Sequence, residues 1–110
     1  MALRHANPLE VIDIRPLGPA LVDAVTTSLL KTPALQLMRV VLAAGQELPE
    51  HSVKGAITVQ CLEGEAVVGT PDTTCTLRAG QLVMLEGGVA HSVTAVADSS
   101  LLVTVVLGMQ

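Results

Sequence analysis

Short aliphatic runs broken by turn residues dominate the chain, and that pattern argues strands over helices. Residues 11–14 read as a short strand closed by Pro16 and Gly18, and residues 19–25 as one helical turn with Leu21, Val22 and Val25 on one side. Residues 26–31 and 34–43 follow as two strands joined at Thr32 and Pro33, because Pro33 cannot donate to a sheet ladder. From Gly45 the punctuation becomes regular. Strands are predicted over 51–53, 56–62, 65–70, 75–78, 82–85, 91–96 and 100–107, with turn signals such as Glu63-Gly64, Pro71-Asp72 and Gly87-Gly88 between them. Such spacing predicts an all-β sandwich or small barrel. No linker or repeat interrupts it, so the 110 residues are read as one domain.

Composition narrows the function. The chain contains no Phe, Tyr or Trp, which removes base-stacking platforms, aromatic cages and proline-rich peptide grooves. A net charge of -4 without clustered Lys or Arg argues against nucleic acid as a partner. No run of about 18 apolar residues predicts a membrane helix. Arg4 and His5 are not followed by the apolar stretch of an export signal, and Cys61 and Cys75 lack CxxC spacing; a cytoplasmic location is the expectation. The sequence contains no phosphate-binding loop, nucleophile elbow or zinc-finger spacing.

The candidate chemistry rests on His51 and His91, each just after a turn. His51 ends Gly45-Gln-Glu-Leu-Pro-Glu-His51, and His91 follows Gly80-Gln-Leu-Val-Met-Leu-Glu-Gly-Gly88-Val-Ala. These segments resemble the two motifs of the cupins. Gly45, His51 and Gly64 match the first motif, and Gly80, Gly88 and His91 match the second. The resemblance covers about residues 35–107 and implies a double-stranded β-helix, or jelly-roll barrel, with an internal pocket; residues 1–34 become an N-terminal extension.

In metal-binding members of that family, two His and a Glu of the first motif join the His of the second around a divalent metal. Carried onto this sequence, the four positions are His51, Val53, Ile57 and His91, and the second motif's Pro is Glu86. Val and Ile offer no lone pair. A catalytic zinc site takes three protein ligands and a non-haem iron site two His and a carboxylate, so two imidazoles need a recruited third donor. Glu50, Cys61, Glu86 and His5 are the candidates. A strand that turns Ile57 inward also turns Val59 and Cys61 inward, although Cys61 lies about 13 Å further along. The expected pocket is therefore His51, Val53, Ile57, Val59, Cys61 and His91.

Three readings follow. The barrel binds a small, largely apolar molecule with His51 and His91 as polar fixtures; or those two histidines and a third donor hold Zn, Fe, Mn or Ni in a dioxygenase- or isomerase-like enzyme; or the pocket is unused in an interaction partner. Cys61 and Cys75 read as small hydrophobes, and Met38, Met84 and Met109 as core or interface filler. Arg39, alone in an apolar strand, either reaches out to water or anchors an anion in the pocket. A chain that is 50% hydrophobic and 15% charged has aliphatic surface to cover, and the resemblance implies pairing through N-terminal strands, so a homodimer is expected.

Overall fold

The structure, a computed structural model, describes residues 5–108. Met109 and residues 1–4, with Arg4 of the stretch read for an export signal, lie outside them. A short 3-10 helix, Gly18–Asp23, stands where the single helical turn is predicted. Nine strands follow: β1 (Thr27–Lys31), β2 (Leu35–Leu42), β3 (Glu47–His51), β4 (Ile57–Glu63), β5 (Glu65–Gly69), β6 (Thr74–Arg78), β7 (Leu82–Leu85), β8 (His91–Ala95) and β9 (Ser99–Val106). They form two antiparallel sheets, β1-β2-β9-β4-β7 and β3-β8-β5-β6. From β2 onward nearly every connection crosses between the sheets, as in a jelly roll.

Strand parity decides what meets inside. Met38, Val40 and Leu42 of β2 share the inner face with Leu101, Val103 and Val105 of β9 and with Ile57, Val59 and Cys61 of β4, through pairs such as Val40↔Leu101 and Val59↔Val103. Ala66, Val68, Leu77, Val93 and Ala95 close the core from the other sheet. Buried apolar groups of this kind contribute about 1.5–3 kcal/mol per fully buried Val or Leu. No Phe, Tyr or Trp is available to fill the barrel axis, and these aliphatic side chains leave a cavity at one end.

Two strand boundaries differ from expectation. The strand expected at 51–53 is β3, Glu47–His51, which contains Pro49. Proline is tolerated there because β3 is an edge strand and its register with β8 slips between Leu48 and His51. The strand expected at 11–14 does not form, since that segment is tied across the five-stranded sheet by side chains.

Those ties rest on a flip of parity. β4 bulges so that its register passes from Cys61↔Leu101 to Glu63↔Ser100, which turns Glu63 onto the outer face. There Glu63 accepts hydrogen bonds from the Ser100 hydroxyl (2.6 Å) and from the Leu17 and Gly18 N–H groups (2.9 and 3.0 Å). Arg39 Nη1 stands 4.0 Å from Glu63 Oε2, and Arg39 Nη2 donates to the Asp13 carbonyl at 3.3 Å. Arg39 is largely buried on the outer face, where it lines a shallow cleft with Asp13, Arg15, Pro16 and Leu17 and no part of the barrel cavity. The turn after Glu63 requires Gly64, whose φ is 90° and whose position would press any Cβ onto the Asp98 carbonyl and Ser99.

Candidate functional site

His51 and His91 are brought together by the β3–β8 ladder, in which they are directly opposed. The slip at Pro49 sets His51 at the mouth, where it stays exposed, while His91 opens β8 and is 3% exposed. Their ring centroids are 4.3 Å apart and the planes are tilted by 57°. Each ring is held the same way, His51 Nδ1 to the Pro49 carbonyl and His91 Nδ1 to the Val89 carbonyl, both at 3.0 Å. A carbonyl only accepts, so the neutral imidazoles carry their proton on Nδ1 and keep a lone pair on Nε2.

Both rings line a cavity of about 250 Å³ at the end of the barrel. Val53, Ile57 and Val59 line it as expected from sequence. Met38, Val40, Leu48, Val93, Val103, Val105 and Leu107 complete an aliphatic wall, and Gln36 adds one amide. Met38 was read as filler; the alternation of β2, which also turns Val40 inward, is the signal that places it here. A second cleft of about 330 Å³ between the 3-10 helix and the sheet end has Thr26, Gln46 and Asp98 as its side-chain acceptors. They already accept from the Val41, Ala43 and Ala44 N–H groups, so the chemistry belongs to the barrel cavity.

Cys61, expected in the lining, lies beyond it. It is fully buried, and its thiol points to the carbonyls of Glu63 and Gly64 at 3.5 Å. The four-residue step along β4 that separates it from Ile57 carries it past Val59 into the closed core. Burial pushes its thiol up, and the charges of Glu63 and Glu65 add to the shift, so it is poorly suited to be a thiolate ligand or nucleophile. The other third-donor candidates fare no better: Glu50 and Glu86 are exposed and line no part of the cavity, and His5 bonds Ser28 Oγ through Nε2 at 2.9 Å. Among the described residues no group of three His, Cys, Asp or Glu side chains is placed to hold a metal ion. Two imidazoles without a third donor therefore do not fit the divalent metal that the motif resemblance implies.

The four motif glycines Gly45, Gly64, Gly80 and Gly88 all adopt positive φ, at 82°, 90°, 87° and 83°. The sequence motifs thus mark the tight turns that frame β3, β4, β7 and β8, and with the two crossed sheets they decide the architecture. The fold is that of the cupins. No family model and no curated protein matches the sequence. Solved structures do. A cupin superfamily protein from Desulfitobacterium hafniense superposes with a TM-score of 0.77 at 20% identity, covering 96% of this chain and 99% of that one. An RmlC-like cupin from Desulfovibrio desulfuricans gives 0.69 at 25% identity, over 94% and 96% of the two chains. A conserved protein of unknown function from Streptococcus pyogenes gives 0.76 at 23% identity, over 100% and 97%. Among the described residues no helix of this cupin barrel is long and apolar enough to cross a membrane.

Proposed function

We propose that the barrel binds a small, largely apolar molecule, with His51 and His91 orienting it and without a tightly held divalent metal. The observation that carries this reading is the composition of the cavity: aliphatic on nearly every side, with two opposed imidazoles whose Nε2 atoms have no protein partner among the described residues. Ligand pockets typically combine such an apolar wall with a few placed polar groups. The protein is then a binding or sensing module. Metal content after purification without chelators, compared between the unaltered chain, His51→Ala and His91→Ala, tests it. The expected result is sub-stoichiometric metal in all three and a Tm unmoved by Zn, Fe, Mn or Ni. Near-stoichiometric metal lost from both variants would instead overturn this reading and establish a metal site at the two histidines.

We further propose that the working unit is a homodimer in the cytoplasm. Leu82 and Met84 are 60% and 57% exposed on the outer face of edge strand β7, and Leu9 and Val11 on the N-terminal segment are almost fully exposed.

A further inference from the structure

The geometry points to a ligand class: we infer that the cavity selects a neutral hydrogen-bond donor, a hydroxyl or primary amide on an aliphatic body, and rejects carboxylates. This rests on the cavity-binding reading above. Both Nδ1 atoms are spent on carbonyl oxygens, so both Nε2 atoms accept. His91 is 3% exposed, yet no buried side-chain nitrogen or oxygen among the described residues lacks a partner. Its Nε2 therefore opens onto the cavity that the ring lines. Gln36, the other polar lining residue, donates one of its two amide N–H groups to Ser28 Oγ at 2.9 Å. The two imidazoles are thus the acceptors of the cavity.

That arrangement sorts ligands by chemistry. A hydroxyl or amide N–H finds a lone pair. An ether or ketone sets acceptor against acceptor. A carboxylate meets no Lys or Arg in the lining, and an ammonium meets no Asp or Glu, so either leaves an unpaired charge in an apolar space. Size follows from the volume: about 250 Å³ exceeds the roughly 150 Å³ of an apolar cavity known to admit benzene, so a body of roughly eight to ten non-hydrogen atoms is accommodated.

A matched probe series tests this at pH 8, read by amide shifts of cavity residues such as Val59, Val93 and Val103 in 15N-labelled protein. Cyclohexylmethanol and methoxycyclohexane have the same atom count and differ in the donor; cyclohexanecarboxamide and cyclohexanecarboxylate differ in charge. The alcohol is expected to bind at least tenfold tighter than the ether, and the amide at least tenfold tighter than the carboxylate. His91→Phe, which keeps a ring, is expected to bring the alcohol and ether within about threefold of each other. Equal binding of alcohol and ether, or tighter binding of the carboxylate, overturns the donor rule and leaves the cavity-binding reading in place. No shift with any of the four overturns both. The comparison of probes is made on the unaltered chain, so it stands even where the variant does not fold.

Discussion

His51 and His91 face each other across one rung of the β3–β8 ladder, and each holds its Nδ1 against the carbonyl two residues earlier in its own chain. The shared geometry predicts one tautomer for both rings. Long-range 15N–1H correlation spectra at pH 8 should show two imidazoles protonated at Nδ1 and bare at Nε2. A ring protonated at Nε2 would mean that its carbonyl bond is not formed in solution.

The missing metal ligands yield a constructive prediction. Val53 and Ile57 line the same cavity as the two histidines, and the motif resemblance carries a second His and a Glu of metal-binding cupins onto these positions. Val53→His with Ile57→Glu should therefore create a four-donor site. Without metal, the Glu buried at position 57 should destabilise the chain by about 1–3 kcal/mol. Stoichiometric Zn or Ni should restore the Tm and bind at least a hundredfold tighter than to the unaltered chain, as read by calorimetry. Equal, weak binding by both proteins would show that the four positions do not converge.

Much of this was legible in the sequence. Turn glycines and aliphatic runs located eight of the nine strands to within about two residues, because Gly45, Gly64, Gly80 and Gly88 each sit where the backbone needs positive φ. The pair His51 and His91 was visible through spacing, as were Val53, Ile57 and Val59 through motif position and parity. Cys61 was misplaced because period-two alternation gives a side and not a depth. β3 was displaced because it carries Pro49, which a sheet tolerates only on an edge, and edge position is not written in the local sequence. Glu63 looked like an ordinary turn carboxylate, for the bulge that turns it outward leaves no mark in the local sequence.

That carboxylate makes the N-terminal segment pH-dependent. Burial pushes the Glu63 carboxyl up, but the Ser100 hydroxyl, the Leu17 and Gly18 N–H groups and Arg39 together outweigh it and hold it below its usual value of 4.5. A carboxyl lowered in the folded state adds stability that is fully present above the unfolded pKa and is lost as pH falls through the folded one. Asp13, held at about 2 by its bonds to Arg15, works in the same direction from an exposed position. Stability should therefore decline from about pH 5 downward, and Glu63→Gln should flatten that decline. At pH 7 Glu63→Leu should cost about 1–3 kcal/mol, because it removes the acceptor of Ser100 and of two backbone N–H groups and leaves Arg39 without its carboxylate, and proteolysis should then cut within residues 11–18. Urea unfolding across pH measures the first effect. An unaltered slope in Glu63→Gln would assign the acid sensitivity elsewhere.

The exposed apolar residues of β7 carry the last prediction. Leu82 and Met84 are two apart, hence on one face, and their register partners Gln60 and Thr58 continue that face across β4. Single exposed apolar residues need no explanation, but here the pair lies on an edge strand whose outer backbone groups have no neighbour within the sheet. Association with a second copy covers both, and a stable interface requires about 1,200–2,000 Å² of total buried surface, more than β7 alone supplies. The N-terminal segment, bonded to β1 at the opposite edge of the sheet, turns Leu9 and Val11 to solvent as a second apolar surface that a partner copy could cover. Light scattering coupled to gel filtration should give twice the 11.3 kDa chain mass at micromolar concentration. Leu82→Glu with Met84→Lys should shift the protein to a monomer with unchanged strand content by circular dichroism, since neither side chain enters the core. A monomeric unaltered chain at that concentration removes the dimer.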